Sequence, residues 1–115
     1  MAKHIRPHFL ASLQSGLADN VRVLMDEKFS EYRSLDVRAQ KLADIAEVGR
    51  NTIYRIIKPD EYGDREGNYI YPRLDSVARI ARALAVTVPQ LLTADFGAGR
   101  VAGAESKKRT PRSVA

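Results

Sequence analysis

The chain has 115 residues, of which 44% are hydrophobic and 29% charged, values that suit one globular domain and argue against wholesale disorder. It has no cysteine, which removes disulfide scaffolds, thiolate metal sites and cysteine nucleophiles together. Nineteen Lys and Arg against fourteen Asp and Glu leave a formal charge of +5. That charge is unevenly placed: residues 49–58 hold three basic side chains and no acid, residues 59–72 are net acidic, and residues 93–115 are again basic. A basic excess gathered into one helix-sized block and one tail is what a polyanion-binding protein carries.

Strand signals are nearly absent and helical spacing recurs. Leu17, Val21, Leu24, Met25 and Lys28 follow the i, i+4, i+7, i+8, i+11 pattern of an amphipathic helix. Pro7 is acceptable in a first turn, so the helix can begin earlier, with Phe9 and Leu13 extending the same stripe. After the polar connector 30–34, a second helix is predicted to start with Asp36 as N-cap and to run through Leu42, Ala43 and Ala46. A third follows within a few residues, with Ile53, Ile56 and Ile57 on one side, and Pro59 ends it.

Residues 59–72 read as a long polar loop holding Tyr62, Tyr69 and Tyr71, which either pack it onto the domain or pair two copies. A fourth helix is predicted after Pro72, with Leu74, Val77, Ala78, Ala81, Leu84 and Ala85 inward and Asp75 pairing with Arg79 at i, i+4. Thr87-Val88-Pro89-Gln90 is a capping box opening a short fifth helix with Leu91 and Leu92. The domain plan is therefore an N-terminal extension over 1–16, a five-helix all-α domain over 17–92, and a flexible basic tail over 93–115. Lys107, Lys108, Arg109 and Arg112 make that tail either a solvated terminus or a sequence-blind phosphate-binding arm. The longest uncharged run of the second half, Ala83–Ala94, is 12 residues and too short to span a bilayer, so the chain reads as soluble and cytoplasmic.

The informative block is residues 42–56. Two short helices crossing steeply need a small residue where their backbones approach, which Ala43 supplies, and apolar facing sides, which Leu42, Ala46, Val48, Ile53 and Ile56 supply. The tight turn then falls at Glu47 to Gly49, and Arg50, Asn51, Tyr54 and Arg55 stand on the outward side of the third helix. Arginine and asparagine fit guanine and adenine edges bidentately, and the major groove admits a helix.

Here the sequence resembles the Cro/phage-repressor type of helix-turn-helix, the XRE family, with a lambda-repressor-like fold. The family pattern Leu-Ala-x-x-x-Gly-Val-Ser-x-x-Thr-Ile falls on Leu42-Ala43, Val48 and Thr52-Ile53. Its downstream signature falls on Pro72, Leu74, residues 80–86 and Leu91. The resemblance implies a DNA-binding transcriptional regulator, most simply a repressor, that pairs as a homodimer on an inverted repeat of double-stranded DNA. It implies base contacts from Arg50, Asn51, Arg55 and Tyr54, and phosphate contacts from Arg38, Gln40, Thr52 and Lys58. The chain departs from the pattern in placing Glu47 at the turn glycine, which implies a left-handed residue at a cost of about 1 kcal/mol. It also places Gly49 at the capping serine, Ala39 at the phosphate-clamping glutamine (Gln40 is one residue later) and Ile57 at a glutamate, and it lengthens the following loop. The rival expectation is an antitoxin or protein-interaction module that uses the same scaffold to hold a protein partner.

Nothing in the sequence points to catalysis, a metal or a cofactor. His4 and His8 are four apart with Pro7 between them, no further ligand is near, and no glycine cluster opens a phosphate-cradling helix.

Overall fold

The structure, a computed structural model, describes residues 8–62 and 70–99. Among these residues, helices of five residues or more follow in the order α1 (His8–Lys28), α2 (Leu35–Ala46), α3 (Arg50–Ile57), α4 (Leu74–Ala83) and α5 (Val88–Leu92). The all-helical reading holds, and no strand occurs among the described residues. None of these helices is long and apolar enough to cross a membrane. The basic tail from residue 100 and Tyr69 lie outside the described residues.

The core is one cluster to which every helix contributes. From α1 come Leu17, Val21, Leu24 and Met25, from α2 Ala39, Leu42, Ala43 and Ala46, and from α3 Ile53, Tyr54 and Ile56. Val77, Ile80, Ala81 and Leu84 close it from the α4 side, and Leu91 from α5. The small-residue stripe Ala39, Ala43, Ala46 on α2 lets both α3 and α4 approach its backbone closely.

Several boundaries and faces differ from expectation. The cap of α2 is Ser34, whose hydroxyl accepts from the Val37 amide at 3.4 Å; Asp36 lies within the first turn instead. Phe9 and Leu13 do not continue the buried stripe of α1: they are exposed, and Gln14 takes the inward position. On α4 the buried stripe runs Val77, Ile80, Ala81, Leu84, because the helix is rotated so that Leu74 is 75% exposed and Ala78 lies outside. Asp75 pairs with Arg73 at 3.2 Å, whereas Arg79 reaches Glu47 at 3.4 Å across the α2–α4 contact.

Both α2 and α4 stop in the same way, without glycine. Glu47 and Ala85 each have φ of 61°, in the left-handed region. The amide of the next residue reaches back to close the last turn, Val48 to the Ala43 carbonyl at 3.0 Å and Val86 to the Ala81 carbonyl at 2.9 Å. This is the Schellman arrangement, and the two valines pack onto the core as its apolar contact. A left-handed residue with a side chain costs about 1 kcal/mol at each place.

The folded segment also extends past α5, through a closing helical turn over 96–99. It is held by Asn20, which is 1% exposed in the middle of α1. The Asn20 amide Nδ2 donates to the Leu91 carbonyl at 2.8 Å and the Thr93 carbonyl at 2.7 Å, while Oδ1 accepts from the Gly97 amide at 2.8 Å. These are the orphan carbonyls that end a helix, satisfied here by a side chain 71 and more residues away in sequence. A Cβ on Gly97 would stand 3.1 Å from the Asn20 backbone, so any side chain at this point of approach would press on α1.

Replacing Asn20 by leucine is therefore expected to destabilise the domain by about 3 kcal/mol, since three backbone groups lose their partner at once. Urea denaturation followed by circular dichroism measures it. By contrast, Ala85→Gly removes left-handed strain at an exposed residue, and should raise stability by about 0.5–1 kcal/mol in the same assay.

Candidate nucleic-acid interface

The α2–turn–α3 unit is built from the inside. Ala43 and Ala46 let Ile53 and Ile56 seat against α2, and the left-handed Glu47 reverses the chain within three residues. Gly49 then caps α3 in extended conformation, φ −74° and ψ 152°, with no side-chain hydrogen bond. Burying Ile53, Tyr54 and Ile56 turns the opposite side of α3 outward, and Arg50, Asn51 and Arg55 are all exposed there. Thr52 is half-buried on the same first turn. Lys58 is half-buried at the C-terminus of α3, its amide bonded to the Tyr54 carbonyl at 2.8 Å.

Tyr54 does not join that outward face. It is 5% exposed, donates its hydroxyl to the Asp36 carboxylate and stacks on Tyr62, ring centroids 5.1 Å apart and 17° from parallel. The expectation of a base contact from Tyr54 is corrected here. On an eight-residue helix with isoleucines at 53 and 56, position 54 falls at the edge of the buried stripe, and its ring is large enough to be drawn under the loop. Tyr62 accordingly ties the start of the 59–72 loop to the domain.

Arg38 is also turned inward. Its Nε donates to the Tyr32 carbonyl at 2.6 Å and its Nη1 pairs with Asp26 at 3.1 Å, with the side chain 20% exposed. Arg38 thus fastens α2 to the end of α1, where a charged, hydrogen-bonded and half-buried guanidinium has more to gain than in open water. The expected phosphate contact from Arg38 is corrected to this structural role. Gln40 remains exposed and donates to Asp44 at 2.9 Å.

Val37, Lys41 and Asp44, which spacing alone did not single out, complete the surface. Asp36, Val37, Gln40, Lys41, Asp44 and Arg50 line a shallow hollow between the exposed side of α2 and the start of α3. Asp36, Gln40 and Asp44 are four apart and form one stripe on α2, a signal present in the sequence but meaningless until α3 is docked beside it. The Lys41 ammonium stands 5.1 Å from the centre of the Tyr32 ring. The result is a rim of Arg50, Asn51 and Arg55 flanked by two carboxylates on α2, a patterned rather than uniformly basic surface.

Burial, reinforced by the hydrogen bond to Asp36 and that carboxylate's charge, pushes the Tyr54 hydroxyl up to about 12. Among the described residues no three His, Cys, Asp or Glu side chains gather as a metal site. Comparison with known proteins finds no matching family model, no matching characterised protein and no matching solved structure.

The Tyr54 shift sets a pH dependence. In the unfolded chain a tyrosine ionises near 10, whereas in the fold the proton is kept to about 12. The unfolded state therefore loses its proton first, so the stabilisation is complete below pH 10 and is lost as pH rises through 12. Denaturation midpoints should fall across that window, and Tyr54→Phe should remove this component of the fall. A fall of the same depth in both proteins would assign it to other groups.

Proposed function

We propose that the protein is a sequence-specific DNA-binding regulator that reads operator DNA in the major groove through α3 and acts most simply as a repressor, by occupancy. The observation that carries the reading is the exposure of Arg50, Asn51 and Arg55 together on the outward side of a short helix. The two-helix packing behind it leaves that helix no other orientation. These side chains have the donor geometry that discriminates guanine and adenine edges. The resemblance of residues 42–53 and 72–91 to XRE-type repressors supports the same assignment. Thr52, Gln40 and Lys58 flank the three readers and are the phosphate contacts in this reading. Asp36 and Asp44 beside them sharpen selectivity, since a carboxylate near the groove repels phosphate and rewards only a correctly placed cytosine amino group.

One recognition helix reads too few base pairs to pick a site from a genome, so two copies on half-sites about 34 Å apart belong to the proposal. Selection of fragments from mixed genomic DNA at moderate salt tests it: a discrete set of sites carrying an inverted repeat is the expected result. Binding that vanishes at moderate salt, or that selects nothing, would leave only nonspecific attraction to a +5 chain.

On the selected site, Arg50→Ala or Arg55→Ala should each weaken binding by about 1–3 kcal/mol and relax the preference at one base pair. Arg38→Ala should instead lower stability, and Tyr54→Phe should leave the base preference unchanged. Equal losses on selected and random duplex for Arg50 and Arg55 would show that they touch phosphate alone.

A further inference from the structure

Seven large hydrophobic side chains are exposed among the described residues: Phe9, Leu13, Val37, Ile45, Tyr71, Leu74 and Leu92. Five of them (all but Val37 and Ile45) lie around two adjoining hollows that share Leu13 and Leu92. One hollow, about 330 Å³, lies between the first half of α1, the 71–74 segment at the start of α4, and α5. The other, about 400 Å³, is formed by the first turns of α1 with Leu92 and Ala94. Neither is lined by a single Asp, Glu, Lys or Arg, in a chain in which 29% of residues are charged.

We propose that this face is the surface through which two copies of the chain pair. Three observations select a second copy over other occupants. The face holds both projections and recesses of the same chemistry, since Phe9 and Leu74 stand 65% and 75% exposed beside hollows lined with leucine and valine. A two-fold axis brings one patch onto its own copy, so a patch carrying its own knobs and holes is self-complementary. Its margin is self-complementary in charge as well: Arg73 and Asp75 flank Leu74, 82% and 57% exposed, so that across a two-fold axis each can meet its opposite. The five side chains present on the order of 400 Å² of exposed surface, a large share of the roughly 800 Å² per partner of a standard interface, of which about 65% is apolar in homodimers.

The assignment resolves which part of α5 is available. Leu91 is fully buried within the monomer and cannot reach a partner, whereas Leu92 belongs to both hollows. None of Arg50, Asn51, Arg55, Gln40, Thr52 or Lys58 lines either hollow, so pairing leaves the proposed reading surface of both copies free. The inference rests on the DNA reading only in the use it gives the dimer; the pairing itself is argued from the face.

Sedimentation equilibrium of the full chain without DNA tests it. The expected result is a reversible dimer of the 12.8 kDa chain, with Phe9→Glu and Leu74→Glu each raising the dissociation constant about tenfold or more. Ile45→Glu, 50% exposed and away from the face, should leave it unchanged. Circular dichroism and the urea midpoint of the monomer should be preserved in all three, because the replaced side chains are exposed. A wild-type chain that remains monomeric into the hundreds of micromolar, or a dimer weakened by Ile45→Glu and indifferent to Phe9→Glu and Leu74→Glu, would overturn the proposal. A monomer that still selects DNA sites would sink the dimer alone, and a dimer that selects none would sink the DNA reading alone.

Discussion

The close approach of α3 to α2 is the constraint from which the rest of the site follows. Ala39, Ala43 and Ala46 present almost no side chain on the inward side of α2, so α3 and α4 can both lie against its backbone. The chain must then reverse within three residues, and Glu47 does so in the left-handed region at a cost of about 1 kcal/mol. That cost is offset by what the reversal allows, namely full burial of Ile53 and Ile56, each worth about 1.5–3 kcal/mol relative to exposure. With those two isoleucines inward, the helical period leaves Arg50, Asn51 and Arg55 on the opposite side. A larger residue at 43 or 46 would displace α3, and the geometry of its outward side chains would shift with it.

Polar groups lock the joints that apolar packing leaves free to slide. Asn20 ties the middle of α1 to the end of α5 and to Gly97, and Arg38 ties α2 to the end of α1 through Asp26 and the Tyr32 carbonyl. The hydroxyl of Tyr54 ties α3 to Asp36 at the start of α2. Each bond is directional, whereas dispersion contacts between aliphatic faces tolerate small rotations. The α2–α3 unit is thereby held at both ends: by the turn and the valine contact at one, and by the tyrosine–aspartate bond at the other. Orientation of the outward side chains to within a fraction of an ångström is what hydrogen-bonded reading of a surface requires.

The two functional surfaces proposed for the molecule are chemically opposite. The α2–α3 side carries arginine, asparagine and carboxylates around a shallow hollow, and the α1–α4–α5 side is apolar with one ion pair at its margin. They share no lining residue, so substitutions on one can be read independently of the other.

Helices α1 to α5, the capping box at Thr87, the turn at Glu47–Gly49 and the exposure of Arg50, Asn51 and Arg55 were all legible in the sequence. Each rests on local chemistry: a spacing near 3.6, a hydroxyl three residues before a glutamine, or a basic run with no competing acid. Rotation of a helix about its axis was not legible. A stripe through Leu74, Val77 and Ala81 is locally as good as one through Val77, Ile80 and Leu84, and only the position of α2 and α5 decides between them. For the same reason Phe9 and Leu13 look like core in the sequence and stand exposed in the fold. Tyr54 and Arg38 were misplaced because their partners, Asp36, Tyr62, Asp26 and the Tyr32 carbonyl, lie 6 to 18 residues away and reach them only through loop geometry. Asn20 was passed over altogether, since nothing near it in sequence needs an amide: the carbonyls it satisfies are delivered by α5, and only the tertiary structure brings them there.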